Sequence, residues 1–398
     1  MKRCDTLKAF ATVLVLLMAA GAGNQARAAE PYKIGYITDL SGPLAGSYTP
    51  TWEGFELYIK TVNDRGGVNG HPVEVLLDDD GLKADRAVAH AKKLAERDKV
   101  LAIFGLSLSS TQGPVYAEMR KVGVPVVTTF SGILDALPPA KPYSYSLGVV
   151  FEVAGEVIGD FIPEIVPGGK VVGITIDSVG GRAAIRHNQA VVRASGYTWG
   201  EVIFPVRTTD FTPHAQAVVD RKPDLVVGHY GAGQNLGIIP ALRKVGYDGP
   251  YVVAVYGVGE DTVKLAAEKA GGGRNLYTVS RYVSVFEENP GLERVRAAAN
   301  KYGTEKAFST MHVHGWVLGK FATTALEKCG WPCTREQLNS VMETLKIDTE
   351  GLTGGPVEMA PDDHYGPTYW RLYRWEEVDQ KLVPVGKWLR KESLTYKP

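Results

Sequence analysis

Two hydroxyl-rich segments follow predicted β-strands and have the residue types of an anion-binding site. The segment Gly105 to Ser110 (GLSLSS) follows the apolar run Val100 to Phe104, and the segment Thr128 to Gly132 (TTFSG) follows Val124 to Val127. Where a strand ends and a helix begins, hydroxyls and unpaired backbone N–H groups lie together, which suits a carboxylate or another small anion. We therefore predict that the two segments deliver hydroxyls to one crevice.

The first segment also carries part of a hydrolase motif. The pattern G-x-S-x-G is met at Ser107 except at its last position, which is Ser109, although crowding at that sharp turn requires glycine. Possible bases elsewhere in the chain stand in no recognisable pairing with this serine: His90, His187 and His229. We therefore favour a binding site and expect no enzyme activity, with a periplasmic serine hydrolase as an alternative.

Other charged residues have structural interpretations. The run Asp78 to Asp80 ends a predicted strand, where carboxylates are commonly solvated or cap a turn. His312 and His314 lie two apart, on different faces of a predicted helix, which disfavours a shared metal. We expect no metal and no cofactor. Arg182, near a helix start, could reach a second acidic group on a ligand, whereas Arg281 is expected to pair structurally.

The N-terminus has the pattern of a secretory signal peptide. Basic residues precede an apolar run from Ala9 to Ala22, and the small-x-small sequence from Ala26 to Ala28 follows. We expect residues 1–28 to be removed near Ala28 and the remainder to be periplasmic. The apolar run, about fourteen residues, is short for a membrane span.

Charge and cysteine content narrow the classes of partner. Residues 1–28 hold four basic side chains and one acidic (Lys2, Arg3, Lys8, Arg27; Asp5), so a formal charge of 0 for the whole leaves −3 for the remainder. This charge disfavours nucleic acid and anionic membranes as partners. Two cysteines remain, Cys329 and Cys333, for which we predict a local disulfide, with free thiols as the alternative.

From Tyr32 onward, short β-branched runs alternate with helical patterns, which is typical of parallel α/β layers. The length of 398 residues suits two lobes of ordinary domain size. A closing hairpin is predicted from Tyr369 to Gly386. Since no low-complexity linker separates the halves, we expect strands or tight crossovers to join them.

Six segments in order carry a family resemblance: KIG at Lys33 with LSGPLA at Leu40, NDRGGVNG at Asn63, VEVLLDDD at Val73, KLAERDKVLAIFG at Lys93, GVPV at Gly123 and GLTGGPV at Gly351. Together they resemble the periplasmic substrate-binding proteins of branched-chain amino acid ABC transporters. The resemblance implies two Rossmann-like α/β lobes joined by three crossovers, the type I periplasmic binding protein fold. Lobe one would comprise residues 31–147 and 282–353, and lobe two residues 148–281 and 354–398.

The resemblance also implies how a ligand is held. In amino-acid binders of the family, the two hydroxyl-rich loops take the carboxylate, and acidic residues after the first crossover and in lobe two take the ammonium. Here the first acidic position holds Phe151, next to Glu152, and the second holds Tyr256, while Val179 stands where a tyrosine is expected. Burying the ammonium of a ligand without an acidic partner would weaken the binding free energy by roughly 3–5 kcal/mol.

We therefore predict a small carboxylate ligand with an aromatic or hydrophobic body and no α-amino group. An alignment shift of one position would place Glu152 in the cleft and favour a branched-chain or other hydrophobic amino acid instead. The predicted ligand-binding residues are Tyr48, Ser107, Leu108, Ser109, Ser110, Thr128, Thr129, Phe130, Ser131, Phe151, Val179, Arg182, Tyr230, Tyr256 and Tyr282.

The expected function is delivery of this ligand to the membrane permease of an ABC importer by hinge closure of a monomer. A ligand-sensing module that signals through a partner is the alternative of a different class.

Overall fold

Two β-sheets, one parallel and one mixed, form the frame of the protein, which a computed structural model describes for residues 29–42, 44–129, 132–253, 260–303, 308–391 and 394. The predicted fold of two α/β lobes is confirmed. The predicted signal peptide lies outside the described residues. Within the described ranges, no helix combines the length and apolar character that crossing a membrane would require.

The first sheet has five parallel strands in the order β2-β1-β3-β4-β5. Gly105 of β3 pairs with Thr128 of β4, and Thr128 pairs with Ser146 of β5, so these three strands end level with one another. The two hydroxyl-rich segments are therefore neighbours in space. The strands are β1 (Tyr32–Thr38), β2 (Val73–Asp79), β3 (Ile103–Gly105), β4 (Val126–Thr128) and β5 (Ser144–Ser146).

The second sheet has seven strands in the order β14-β13-β10-β9-β8-β6-β7. The predicted closing hairpin is present as β13 and β14. Strand β13 pairs antiparallel with both β14 and β10, whereas the other pairings are parallel. The strands are β6 (Lys170–Ile176), β7 (Thr198–Phe204), β8 (Leu225–His229), β9 (Tyr251–Val253), β10 (Leu276–Ser280), β13 (Tyr369–Glu376) and β14 (Lys381–Arg390); a separate pair is β11 (Lys346–Ile347) with β12 (Val357–Glu358).

Helices cover the sheets because the parallel strands are buried on both faces, as the fully buried sequence of β8 illustrates. The helices are α1 (Ala45–Asn63), α2 (Ala84–Lys92, continued by a π-helical turn, Lys93–Arg97), α3 (Ser109–Lys121), α4 (Phe151–Ile165), α5 (Val179–Ala194), α6 (Thr212–Val219), α7 (Ala232–Lys244), α8 (Glu260–Lys269), α9 (Pro290–Tyr302), α10 (Thr310–Cys329) and α11 (Arg335–Met342).

The chain passes three times between the lobes. It leaves the first sheet after β5, returns after β10 to build α9, α10 and α11, and passes again to the second sheet before β13. Helix α10 packs against α1 in lobe one and ends at Cys329, which is bonded to Cys333 with the Cα atoms 5.7 Å apart.

The contact between α1 and α10 is close because glycines remove side chains from it. A Cβ atom at Gly315 would lie 1.9 Å from the carbonyl oxygen of Thr51 and 2.6 Å from the backbone nitrogen of Phe55. At Gly54, the same atom would lie 2.1 Å from the carbonyl oxygen of His312. The absence of side chains at these glycines allows the start of α10 to lie close to α1.

Gly315→Ala should therefore lower the free energy of unfolding by about 2 kcal/mol or more, because the two backbones must separate. The matched control is Gly113→Ala in α3, where an added Cβ meets nothing within 4 Å. The control should leave stability unchanged or raise it by about 0.5–1 kcal/mol. Urea unfolding followed by circular dichroism measures both, and equal stability of the two variants would contradict the packing described.

Candidate functional site

The carboxyl ends of β5 in lobe one and β10 in lobe two approach each other at the crossovers, at the edge where the sequence predicts the ligand cleft. The guanidinium of Arg281, which directly follows β10, donates to the carbonyl oxygen of Leu147, which directly follows β5. Crevices at the carboxyl ends of parallel strands are the usual ligand sites of such sheets.

In the first hydroxyl-rich segment, the side chain of Ser107 is directed into lobe one. Its hydroxyl is buried and donates to the Asp80 carboxylate, 3.3 Å from each oxygen. The hydroxyl of Tyr48, also buried, donates to the carbonyl oxygen of Ser107 at 2.6 Å. Among the described residues, no histidine lies within hydrogen-bond distance of Ser107, as a serine nucleophile would require.

Three carboxylates lie beside Ser107 and close the turns at the ends of β1 and β2. Oxygen atoms of Asp39, Asp79 and Asp80 lie within 4.8 Å of one another. Each accepts hydrogen bonds from nearby backbone N–H groups, as from Leu44 to Asp39 at 3.0 Å and from Leu82 to Asp80 at 2.8 Å. Burial raises the pKa of Asp80, and the nearby Asp39 raises it further. This end of the cleft is therefore electronegative.

The second hydroxyl-rich segment begins with two buried threonines. The Thr128 hydroxyl lies 3.0 Å from the Ser146 hydroxyl, within the first sheet. The Thr129 side chain hydrogen-bonds to the phenol of Tyr36, and its amide donates to the Gly105 carbonyl oxygen at 3.2 Å. The predicted residues Phe130 and Ser131 lie outside the described residues. Thr129 is thus placed at the strand end, while Thr128 faces the layer of α3.

Helix α3 begins at the same edge. Leu108 precedes the helix in an extended conformation, and Ser109 and Ser110 form its exposed first turn. The amides of Thr111 and Gln112 both donate to the Leu108 carbonyl oxygen at 2.9 Å. The positive end of the α3 dipole therefore lies at the edge of the cleft.

In lobe two, Phe151 is the first residue of α4 and packs on the start of α5. A Cβ atom at Gly180 would lie 2.9 Å from two ring carbons of Phe151, so the ring can pack here because residue 180 has no side chain. Val179, the first residue of α5, is 89% exposed. Arg182 pairs with Asp177 at 2.7 Å on the surface. The Phe151 ring, and not Val179, is therefore the sheltered apolar group at this edge.

The remaining predicted aromatic residues are in different surroundings. Tyr230 is buried in the core of lobe two, its ring centroid 5.7 Å from that of Phe204. Tyr282 is buried at the second crossover, where it stacks on the His314 imidazole with a centroid distance of 4.9 Å. Burial raises the pKa of Tyr282 to about 12, against the opposing effect of the Arg281 charge. Tyr256 lies outside the described residues.

The sequence predicted a structural pairing for Arg281 and no shared metal for His314, but not that the two side chains lie together at the crossovers. The imidazole of His314 is buried and approaches the backbone of Thr129 and Leu147. Burial lowers the pKa of His314 well below its ordinary value, and the Arg281 charge lowers it further, so the imidazole is neutral. Only the fold brings these positions together, so the signal in the sequence was limited to their residue types.

Glu260, which sequence reasoning missed, connects the lobes. Its buried carboxylate opens α8 in lobe two and accepts from the amide of Thr310, the first residue of α10 in lobe one, at 3.2 Å. It also accepts from the Thr310 hydroxyl and, at 3.1 Å, from the amide of Val285. This carboxylate therefore caps a helix of the opposite lobe.

Comparisons with known proteins agree with this geometry. Residues 31–381 match the family model described as periplasmic binding protein. The Leu/Ile/Val-binding protein homolog 7 of Brucella abortus (strain 2308) is 23% identical over 338 residues, which cover 79% of this chain and 82% of that protein.

Two solved structures share the fold. A branched chain amino acid ABC transporter protein from Thermus thermophilus with bound valine has a TM-score of 0.79 and 18% identity, covering 91% of this chain and 97% of that chain. A solute binding protein of an ABC transporter from Rhodopseudomonas palustris BisB5, in complex with 3,4-dihydroxy benzoic acid, has a TM-score of 0.78 and 22% identity, covering 92% and 99%.

Two α/β lobes joined by three crossovers are the architecture of a bilobal solute-binding protein. The chain belongs to the periplasmic binding protein family. It is an extracytoplasmic solute-binding protein of the ABC transporter type.

Glu260→Gln should lower the free energy of unfolding by about 1–3 kcal/mol, because the amide group leaves a buried donor of Thr310 or Val285 without an acceptor. Glu268→Gln, on the exposed face of the same helix, is the matched control and should change stability little. Guanidinium unfolding of both variants measures the difference. Equal stability would show that Glu260 does not connect the lobes as described.

Proposed function

We propose that the protein captures a small carboxylate with an aromatic or hydrophobic body and no α-amino group, and delivers it to the permease of an ABC importer. The acid group would face lobe one and the crossovers, and the body would lie against the Phe151 ring of lobe two. Ser107 and Thr128, both predicted ligand residues, would support the strand ends through their internal hydrogen bonds, while Thr129 and the first turn of α3 would face the ligand.

The observation that carries this proposal is that most carboxylates at the cleft edges already have hydrogen-bond or ion-pair partners within the protein. Backbone amides in the turns of lobe one donate hydrogen bonds to Asp39, Asp79 and Asp80. Glu260 accepts from the amide of Thr310 at the start of α10, and Asp177 forms an ion pair with Arg182. An α-ammonium would have to displace one of these bonds, at a cost that a ligand without an amino group avoids.

Helix dipoles favour an anion at the same place. Helices α3, α4 and α5 all begin at the carboxyl edges of the sheets, at Ser109, Phe151 and Val179. Their N-terminal N–H groups carry partial positive charge, which attracts a carboxylate and repels an ammonium. The related protein from Rhodopseudomonas palustris, whose structure holds 3,4-dihydroxy benzoic acid, supports an aromatic acid as the ligand class.

A branched-chain or other hydrophobic amino acid is the second candidate, because Glu152 offers a carboxylate. Glu152 is half-buried in the first turn of α4 and forms no hydrogen bond or ion pair with another described residue. It lies one turn before Glu156, whose buried carboxylate approaches His187 at 3.0 Å on the side of α5. The valine-bound structure from Thermus thermophilus supports this candidate.

The mechanism that we propose is hinge closure about the three crossovers. A ligand that contacts both lobes stabilises the closed state by its difference in affinity for the closed and open states. Closure would then present both lobes to the permease in a fixed relation. A sensing role would use the same closure, and the identity of the partner protein, permease or regulator, distinguishes the two.

Calorimetric titration with matched ligand pairs tests the ligand class. Leucine and 4-methylpentanoate differ in the amino group alone, as do phenylalanine and 3-phenylpropanoate. We expect the acid without an amino group to bind at least about 100-fold more tightly in one of the pairs, because Asp39, Asp79, Asp80, Glu260 and Asp177 already have partners within the described chain. Tighter binding of leucine or phenylalanine would contradict the proposal and favour the amino-acid candidate.

Two neighbouring substitutions separate the candidates on the protein side. Phe151→Ala should weaken binding of 3-phenylpropanoate by about 10-fold through lost ring contact, whereas Glu152→Gln should leave it unchanged. The same titrations measure both variants. A large loss of affinity in Glu152→Gln with an unchanged Phe151→Ala variant would identify Glu152 as the ligand's partner and contradict the proposed ligand class.

A further inference from the structure

The side chain of Arg281 carries a charge that no described residue neutralises. Only 9% of the residue is exposed, yet no carboxylate in the described part of the chain lies within ion-pair distance of its guanidinium. One nitrogen donates to the carbonyl oxygen of Leu147. Aromatic rings flank the group, with centroids at 5.3 Å for Tyr282 and 5.8 Å for Trp370. Buried charges in proteins are normally paired, so this arrangement requires an explanation.

Two other arginines have more partners within the protein than Arg281 has. Arg335 donates through Nε to the carbonyl oxygen of Val100 and through Nη2 to that of Ala95, at 2.9 and 2.6 Å. Arg371 pairs with Glu287 at 3.2 Å. Arg281 has one carbonyl acceptor, so most of its N–H groups remain available to an acceptor that is not part of the described chain.

Three further polar atoms around Arg281 are buried without a hydrogen-bond partner in the described residues. They are Nε2 of His314, the hydroxyl oxygen of Tyr365 and Nε1 of Trp370. Buried polar atoms are nearly always hydrogen-bonded, to protein, water or ligand. The tyrosine hydroxyl and the indole N–H are donors, so they suit an acceptor that also bonds to a guanidinium. We call these four residues the crossover cluster.

The crossover cluster lies between the two edges of the cleft. His314 approaches the backbone of Thr129, the strand end of lobe one, and Tyr365 approaches the backbone of Val150, which precedes the Phe151 wall of lobe two. Arg281 lines a small cavity, and residues of the third crossover such as Thr368 line the same cavity. The cluster is thus adjacent to the proposed ligand position from both lobes.

The opposite end of the lobe-one edge is unsuited to an acid group. The Ser107 hydroxyl is already a donor to Asp80, and the carboxylates of Asp39 and Asp79 lie beside it. A ligand carboxylate placed there would meet three like charges at short range. The charge distribution along the edge therefore orients an acidic ligand with its acid group towards the crossovers.

We propose that Arg281 binds the acid group of the ligand, with the neighbouring Tyr365 hydroxyl as a second donor. This inference rests on the proposed function only in that the ligand carries an acid group. Guanidinium and carboxylate form two parallel hydrogen bonds of matching geometry, and the aromatic rings hold the guanidinium plane in place. The acid group would then contact residues of the second and third crossovers at once, and so couple ligand binding to closure.

The test compares acids with their uncharged amides in three variants. Arg281→Gln should weaken binding of 3-phenylpropanoate by about 100-fold while leaving 3-phenylpropanamide unchanged, since only the charged group uses Arg281. Arg281→Lys should recover part of the loss, because the charge returns without the paired geometry. Arg335→Gln removes a similar arginine far from the cleft and should leave both affinities unchanged.

The outcomes separate this inference from the proposed ligand class. If wild-type protein binds leucine and not the aromatic acid, the ligand class fails, and leucine with leucinamide then tests Arg281 in the same way. An acid affinity of Arg281→Gln within threefold of wild type overturns the inference. An equal loss for acid and amide also overturns it, because that result is expected if Arg281 only maintains the fold.

Discussion

A buried positive charge with no carboxylate partner among the described residues lies where the three crossovers between the lobes meet. The guanidinium of Arg281 ties the second crossover to the first through the Leu147 carbonyl oxygen, while Tyr365 and Trp370 approach it from the third crossover and β13. A desolvated charge of this kind raises the free energy of the protein until an anion neutralises it. Occupation by an acid group would therefore stabilise one relative arrangement of the lobes, which is the requirement for closure driven by ligand.

The cleft is electrostatically asymmetric along the edge of lobe one. At the ends of β1 and β2, Asp39, Asp79 and Asp80 close turns and make the surroundings of Ser107 electronegative. At the ends of β4 and β5, the charge of Arg281 has no counterpart among the described residues. Specificity for an acid would thus come from the crossovers, and specificity for its body from the apolar wall that Phe151 forms over Gly180.

The fold could be predicted from the sequence because its signals are local. Runs of β-branched residues and amphipathic patterns gave the strands and helices, and ordered motifs indicated two lobes. The adjacency of the two hydroxyl-rich segments also followed, because parallel neighbours end at one edge. The orientation of their hydroxyls did not follow. The partner of Ser107 is Asp80, which the strand order brings near, and the partner of Thr128 is Ser146, which lies opposite it on the neighbouring strand. The proximity of Arg281 to His314 likewise depends on the crossovers.

The most direct measurement is a crystal structure of the protein with 3-phenylpropanoate bound between the lobes. The carboxylate should lie within hydrogen-bond distance of the Arg281 guanidinium, the phenyl ring should contact Phe151, and the Ser107 hydroxyl should keep its bond to Asp80. A carboxylate held by Ser107 instead, at the electronegative end of the edge and away from Arg281, would contradict the role of the buried charge.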